Sequence, residues 1–527
     1  MTNTLKFIEP KWTEIRNKRG QDPLGMQNSC INLYQELLPG ISNVTLRVRY
    51  YGLYAWLSFN YSRKIFDTNP ERWKLYIRRF EALFALVAKK NGKEDGVAGA
   101  NWATAKLTES TEDIIQFHFD ADPGSQTHYL KQAWGAYGAA YGSQLFEIGI
   151  FEHAQKHEIP ILSEMGLQLS DALIKEQSSI LEQFWKCIEQ GSVNITELTK
   201  FAPLLPSRIN KDSTERHMYH QILFPDDESS TEGALNRKKT LNLILILADQ
   251  KKEALNANAI RWALYSSYIS ENEKLILPAH LTEHQNFWWV YHINDLSHIC
   301  FETLLKYTLD LLESHKNGIS LKTLIAEVVE NIISQMDIEK ENHQTWDEFL
   351  NTFSLAENAS SQKEDSITEL NLSNRIVNSG RVLENYKAND ALDALRLLAI
   401  LHLRIMNLEE SSREYFVDPN YSSIRSIWTE THYMNEIRHL ELSKFLSRLI
   451  EERIVRRHIE VAMRKLGTQG DYTFLIESEN GLIRLRAKDK PIYTTPRLGS
   501  ALSFLKDIHL VGDDGLTDIG KQLVVLS

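Results

Sequence analysis

The chain has 527 residues, of which 43% are hydrophobic and 24% are charged. This composition is typical of a folded globular protein and excludes a disordered scaffold, and the length allows two to four domains. The formal net charge of −11 excludes a protein that binds polyanions over its whole surface. The three cysteines, Cys30, Cys187 and Cys300, are too far apart for a local disulfide framework or a cysteine zinc site, so we expect a reducing, cytoplasmic location.

Two stretches bear on secretion and membranes. Residues 1–20 are polar and basic, and they lack the apolar core of a secretory signal. The longest aliphatic run, Leu241 to Ala248, is less than half as long as a bilayer crossing requires. We therefore expect a buried helix at this run, no secretory signal and no membrane partner.

Aromatic side chains are concentrated in the first predicted domain, residues 1–160. Arg47 and Arg49 begin an aromatic stripe on one predicted helix, which continues through Tyr54 and Trp56. Such a stripe could stack on the bases of single-stranded nucleic acid. Its continuous apolar surface favours a buried core with the arginines at the rim.

The rest of the chain is predicted to be mostly helical. Small residues near the end of the first domain indicate a closely packed helix from about Tyr129 to Ile150. The further predicted segments are a central helical domain (161–355), a linker with almost no bulky apolar residue (356–372), a helical segment (373–440), and a basic helix, β-hairpin and winged-helix domain (441–527).

The C-terminal segment carries the predicted β-structure. Short alternating runs around Asn480-Gly481 predict a β-hairpin. A helix that starts after Pro496-Arg497, a polar turn at Gly512 to Gly515 and a second helix opened by Thr517 are typical of the end of a winged-helix domain. The sequence therefore predicts a mainly α, multi-domain helical protein with a small C-terminal winged-helix (α+β) domain.

The densest group of histidines lies on one predicted helix, from His284 to Glu302. His298 and Glu302 are four residues apart and share a helix face, whereas His292 and His298 are six apart and poorly placed for one metal ion. A semi-buried helix whose polar groups bond to its neighbours is favoured. His292, His298 and Glu302 are the candidate metal ligands, and His298 is also a candidate catalytic base.

A second catalytic candidate is the pair Arg453 and His458, which matches the Arg-x4-His spacing of HEPN ribonucleases. A basic helix often produces this spacing, so a basic binding face is favoured. A metal-dependent PD-(D/E)xK nuclease is disfavoured because Glu477 and Glu479 lack the required lysine. The sequence also lacks a P-loop, a nucleophile elbow, a His-Glu-x-x-His motif and a kinase signature. We therefore expect no enzymatic activity, no cofactor and no bound metal.

Positive charge is concentrated near the C-terminus. Between Lys444 and Arg497 the sequence has twelve Lys and Arg against seven Asp and Glu, which is the sign expected of a phosphate-binding surface. The candidate residues for binding DNA or a protein partner are Arg453, Arg456, Arg457, Arg484, Arg486, Lys488 and Arg497.

Several sequence blocks carry a family resemblance: Leu24-Gly25, Leu37 to Tyr51, Gln132 to Tyr137 and Thr495 to Leu498. Together they resemble the accessory middle subunit of bacterial SMC-type ABC-ATPase defence systems, the Lamassu or Ddm class of anti-phage and anti-plasmid modules. The resemblance implies a kleisin-like subunit that bridges an SMC-like ABC ATPase and an effector nuclease, with its winged helix docked on the ATPase or on double-stranded DNA. The long packed helical segments depart from a kleisin, which is thin and extended.

Our hypothesis from the sequence is a non-enzymatic accessory subunit of an antiviral and plasmid defence complex. One alternative is a stand-alone DNA-binding regulator that uses the same C-terminal surface. The other is a HEPN-type or metal-dependent nuclease that uses His458 or the His292 to Glu302 cluster.

Overall fold

The computed structural model describes residues 22–526, apart from residues 93, 111–112, 227–229, 337–344, 364–365, 380–384, 409–412, 414–415 and 417–424. The N-terminal stretch 1–20 discussed above lies outside the described residues. Within the described ranges the chain is mainly helical, which confirms the mainly α class. None of the helices in these ranges combines the length and the apolar character needed to cross a bilayer.

The helices vary widely in length. In the first half of the chain they are α1 (Gln27–Leu37), α2 (Arg49–Lys64), α3 (Pro70–Lys90), α4 (Ala100–Glu109), α5 (His118–Ala121), α6 (Gly142–Glu147), α7 (Glu164–Gln190), α8 (Thr214–Leu223), α9 (Glu232–Lys251) and α10 (Ala257–Ser266). In the second half they are α11 (Ala279–Ser314), α12 (Leu321–Ile333), α13 (Trp346–Leu350), α14 (Glu369–Ser379), α15 (Ala388–Met406), α16 (Ile427–Ile437), α17 (Leu442–Arg448), α18 (Arg456–Gln469), α19 (Leu498–Asp507) and α20 (Asp518–Leu526). Tyr137–Tyr141 and Leu449–Val455 are π-helical.

The strands form short antiparallel pairs. These are β1 (Ile114–Ile115) with β4 (Val193–Asn194), β2 (Phe151–Glu152) with β3 (Ile161–Leu162), β5 (Ile476–Glu479) with β6 (Leu482–Leu485), and β7 (Val511–Gly512) with β8 (Gly515–Leu516). The β5–β6 pair confirms the predicted hairpin. Asn480 and Gly481 both have positive φ angles, as the two-residue turn of a tight hairpin requires.

The chain folds into two compact units, and each is discontinuous in sequence. The first unit contains the residues as far as Cys30 together with residues 290–494, and the second contains residues 31–289 and 495–527. These limits differ from the predicted sequential segments. The predicted domain 441–527 is divided between the two units after Thr494.

Aromatic side chains fill the core of the second unit. Tyr54 and Trp56 of α2 are buried, which confirms the core interpretation of the aromatic stripe. The preceding arginines hold carboxylates of the same unit: Arg49 forms a buried pair with Glu215 at 2.7 Å. Arg47 pairs with Asp507, the last residue of α19, at 2.8 Å. The arginine rim of this helix therefore stabilises the fold.

The glycine-rich helix predicted from Tyr129 to Ile150 is shorter than expected. Helical backbone begins at Gly135 and Ala136, runs through the π-helical turn Tyr137–Tyr141 and continues into α6. Gly135 has a φ of +62°, which breaks any helix before it. Glu81 of α3 accepts hydrogen bonds from the backbone N–H groups of Ala136 and Tyr137 at 2.7 and 2.8 Å, so a side chain distant in sequence fixes the helix start.

The predicted C-terminal helix, turn and helix are present as α19, β7–β8 and α20, and they pack within the second unit. Gly515 of β8 has a φ of +113° and lies against the end of α9, where an added Cβ would be 3.0 Å from the carbonyl oxygen of Ala248. The winged-helix assignment stays a prediction.

Aliphatic side chains of α11 and α15 contribute to the core of the first unit, beside aromatic ones such as Trp346 and Phe445. Ile299, Leu304, Leu395 and Leu398 are buried there. The predicted linker 356–372 also packs in this unit: Ala359 is buried, and Glu369, the first residue of α14, pairs with Arg404. A segment poor in bulky apolar residues is therefore held by polar contacts.

Candidate functional sites

A buried polar cluster lies on α11 within the first unit. Asp295, His298 and Glu302 follow one another at spacings of three and four residues, so they share one helix face. That face is turned into the protein, and the Asp295 and His298 side chains have no exposed surface. Carboxylate and imidazole groups at such depth require polar partners.

The partners of this cluster come from the segment that follows β6. His298 Nε2 donates to the carbonyl oxygen of Ile492 at 2.9 Å, which places the ring proton on Nε2 and directs the Nδ1 lone pair the other way. Nδ1 lies 3.3 Å from Asp295 Oδ1. The same carboxylate oxygen accepts the backbone N–H and the hydroxyl of Thr494 at 3.0 and 2.8 Å. Tyr291 OH donates to Asp295 Oδ2 at 3.2 Å.

A thiol completes the cluster. The ligand-type atoms of Cys30, Asp295 and His298 all lie within 4.8 Å of one another, and all three residues are buried. Cys30 and Asp295 were not among the metal candidates taken from the sequence. No spacing rule could have found Cys30, because it reaches the cluster from the other end of the chain. Asp295 is three residues before His298, a signal that was present in the sequence.

The other sequence candidates take different places. His292 is buried and stacks on Tyr493, with ring centroids 6.3 Å apart. Glu302 accepts a hydrogen bond from Gln27 at 3.0 Å and lies 3.8 Å from His298 Nε2. His284 belongs to the second unit, where it contacts Thr240 Oγ1 at 2.8 Å.

The pKa values of the residues in and beside the cluster are shifted by burial and by neighbouring charges. Burial raises the pKa of the Cys30 thiol well above its ordinary value. Burial also raises the pKa of Glu302 to about 8, although His298 opposes the shift. Burial by itself would lower the pKa of His298, but Glu302 and Asp295 outweigh it and raise that pKa. A positive charge is therefore favoured at the centre of this group.

The pair Arg453 and His458 has structural contacts within the first unit. His458 is almost fully buried: Nδ1 donates to the carbonyl oxygen of Pro23 at 3.2 Å, and Nε2 accepts the backbone N–H of Leu475 at 2.8 Å. Burial lowers the pKa of His458 to about 4. Arg453 lies 3.4 Å from Glu430. Both ring nitrogens of His458 are therefore occupied by the fold.

The predicted basic face is largely paired with carboxylates. In the first unit the pairs are Arg453–Glu430 (3.4 Å), Arg456–Glu451 (2.5 Å), Arg457–Glu460 (3.4 Å), Arg484–Glu479 (2.7 Å), Arg486–Glu477 (2.6 Å) and Lys488–Asp310 (2.8 Å). Arg456 and Arg484 are the most exposed, with 63% and 47% of their side chains accessible. Arg497 belongs to the second unit, where it is buried and donates to the carbonyl oxygen of Leu38.

An aromatic groove lies open in the second unit. Its volume is about 630 Å³. It is lined by Pro70, Trp73, Trp134, Tyr137, Gly138, Gly142, Ser143, Phe146, His153, Glu158, Ile159 and Pro160. A smaller cavity of about 370 Å³ shares Ile159 and Pro160 with it and is bordered by Phe66, whose side chain is largely exposed.

Buried polar groups on α3 position the groove. Glu81 accepts hydrogen bonds from Tyr54 OH at 2.6 Å, from Tyr129 OH, and from the two backbone N–H groups that open the π-helical turn. Arg78 donates to the carbonyl oxygens of Gln132 and Ala133 at 2.7 and 3.2 Å. Arg78 and Glu81 therefore hold the backbone just before Trp134 and at Tyr137, and so fix the segment that forms this wall of the groove.

The π-helical turn itself belongs to the groove lining. Such turns are rare and occur frequently at functional sites. Gly138 leaves room for the Trp134 side chain, since an added Cβ would overlap Trp134 Cβ. The sequence contained part of this signal, because Gln132 to Tyr137 is one of the blocks that carry the family resemblance. The groove itself could not be predicted from the sequence, because Phe146, His153 and Glu158 come beside Trp134 only when the chain folds.

Comparisons of the chain with protein-family models, with curated proteins and with solved structures found no match.

Proposed function

We propose that the protein is a non-enzymatic accessory subunit of a multi-protein DNA-defence complex, and that it holds a partner subunit through the aromatic groove. The family resemblance supplies the context, an SMC-like ABC ATPase and an effector nuclease. The observation that carries the docking role is the groove, an open aromatic concavity held by a buried polar frame. A few tryptophan, tyrosine and arginine side chains carry most of the binding energy at protein interfaces.

The groove favours an extended protein segment as its occupant. Trp134, Tyr137 and Phe146 offer apolar ring surface to an aliphatic, aromatic or proline side chain. Glu158 and His153 at the same groove are exposed and can bind polar groups of the segment. A basic residue beside the apolar anchor would complement Glu158.

DNA contact is secondary in this proposal. The stand-alone DNA regulator depends on the six candidate basic residues of the first unit, and each of those six is paired with a carboxylate. Such pairing reduces the positive potential that attracts phosphates. Arg456 and Arg484 keep the greatest exposure, so any DNA contact of the complex would involve them first.

The test is co-purification of the tagged full chain with the products of its neighbouring genes. We expect Trp134→Ala to reduce partner recovery about tenfold or more, because central tryptophans are typical hot spots. Gly138→Ala should act in the same direction, since it displaces the Trp134 side chain. Trp102→Ala is the matched control: Trp102 is also partly exposed in this unit, but it packs on Tyr129 and does not line the groove.

Two outcomes would overturn the docking role. One is unchanged recovery with both groove variants, and the other is an equal loss with Trp102→Ala. Thermal melting of each purified variant separates lost docking from lost folding.

The non-enzymatic part of the proposal has its own test. The purified chain should neither hydrolyse ATP nor cleave DNA or RNA. Metal-dependent cleavage that is lost in His458→Ala or His298→Ala would replace this proposal with the nuclease alternative.

A further inference from the structure

We propose that Cys30, Asp295 and His298 bind one zinc ion inside the first unit. Their Sγ, carboxylate oxygen and imidazole nitrogen atoms already lie within 4.8 Å of one another. A modest inward movement would bring all three to the bond lengths of about 2.0 to 2.3 Å that zinc requires. The three ligands leave one position of a tetrahedral ion for a further donor.

Hydrogen bonds around the cluster orient the ligand atoms. His298 donates its Nε2 proton to the carbonyl oxygen of Ile492 at 2.9 Å, and its buried Nδ1 makes no hydrogen bond and lies 3.3 Å from Asp295 Oδ1. Metal-binding histidines almost always have this arrangement, with one nitrogen on a carbonyl or carboxylate and the other on the metal. Asp295 is likewise held in place by Thr494 and Tyr291.

The ligand chemistry selects the metal. A thiolate and an imidazole suit zinc and related transition metals, whereas magnesium and calcium prefer oxygen ligands alone. A divalent cation would also supply the positive charge that the buried carboxylates favour, and it would keep the thiol ionised.

The same three residue types could form a cysteine nucleophile with its base and orienting acid. Burial argues against this reading, because the Cys30, Asp295 and His298 side chains have no surface that a substrate could reach. A structural ion needs no such access, since it can bind as the protein folds.

The first experiment is elemental analysis of the full chain, expressed with zinc in the medium and purified without chelators. We expect about one zinc ion per chain in the wild type and a large loss in Cys30→Ser and His298→Gln. Cys300→Ser is the matched control, because Cys300 is equally buried on α11 but is not part of the cluster. It should retain the metal.

The second experiment uses the wild type alone, so it does not depend on whether a variant folds. The protein is unfolded with a chelator, refolded with cobalt(II) and examined by absorption spectroscopy. A thiolate-to-cobalt charge-transfer band is expected, and zinc should displace it. Absence of bound zinc and of this band in refolded wild type would overturn the proposal, and so would an equal loss of metal in Cys300→Ser.

Discussion

Two buried carboxylates, one in each unit, have opposite surroundings. Glu81 in the second unit is surrounded by groups that donate protons: two tyrosine hydroxyls and two backbone N–H groups. Asp295 in the first unit also accepts hydrogen bonds, but on one side it faces a histidine nitrogen and a cysteine sulfur. His298 Nδ1 makes no hydrogen bond, and the Cys30 thiol donates weakly to the carbonyl oxygen of Tyr291 at 3.8 Å.

The difference separates a structural group from a ligand set. A buried carboxylate that receives four hydrogen bonds is satisfied, and its effect is to fix the segments that supply the donors. Lone-pair donors that converge on a carboxylate satisfy one another only through a proton or a metal ion between them. Burial alone therefore does not tell a structural carboxylate from a metal ligand. The distinction depends on whether the neighbouring atoms donate hydrogen bonds to it.

The largest loss of stability should come from removing the Glu81 carboxylate, which receives four hydrogen bonds. Glu81→Ala leaves four buried donors without their acceptor, and each costs about 1 to 3 kcal/mol, so the unfolding free energy should fall by more than about 4 kcal/mol. The measurement is soluble yield and melting temperature. Glu158→Ala, which removes an exposed carboxylate at the groove, is the control and should melt within a few degrees of the wild type. A Glu81→Ala protein as stable as this control would contradict the structural role of Glu81.

A second, smaller effect concerns His458, whose two ring nitrogens are both occupied. Burial lowers its pKa to about 4, so between pH 6.5 and pH 4 the unfolded chain binds a proton that the folded chain does not. The unfolding free energy should therefore fall by about 3 kcal/mol as the pH falls through this window.

Urea unfolding at several pH values measures this dependence. His458→Gln cannot take up the proton and should show a shallower slope than the wild type. His432→Gln, the same substitution at an exposed histidine, is the control. Equal slopes in all three proteins would show that His458 does not titrate differently on folding.

The basic residues should show the smallest effects, and these differ by burial. Lys488 is one of two lysines, with Lys306, that pair with Asp310, whose side chain is only 2% exposed, so Lys488→Ala should cost about 2 kcal/mol. Arg484→Glu alters an exposed pair and should cost less than about 1 kcal/mol. Thermal melting checks both values. If DNA binds, Arg484→Glu should also reduce the salt dependence of binding by about one unit of slope, while an unchanged slope would remove Arg484 from the contact.

Local sequence signals predicted local structure well. The Asn480-Gly481 hairpin and the buried aromatic stripe of α2 depend on neighbouring residues, and both are confirmed. The start of the helix near Tyr137 was missed, because Glu81 fixes it from another helix. Spacing along α11 indicated the shared face of His298 and Glu302, but not the thiol that approaches from α1.

The predicted basic surface shows the same limit of local sequence signals. The excess of Lys and Arg near the C-terminus is visible in the sequence, but the distances to partner carboxylates are not. Arg497 was grouped with Arg484 because both are basic and near in sequence. The chain enters the second unit between them, at Thr495, and Arg497 is buried there.

The discontinuous units impose an order on synthesis. Residues 31–289 leave the ribosome first, yet their unit is completed by a segment that begins at Thr495, about 200 residues later. At about 5 to 20 residues per second this interval is roughly 10 to 40 s. Throughout it, the faces of α9 and α10 that receive β8 and α19 have no covering segment from their own unit. The incomplete unit is therefore exposed to aggregation until the last segment is translated. We expect chains truncated before Thr495 to fold in lower yield and to depend more on chaperones.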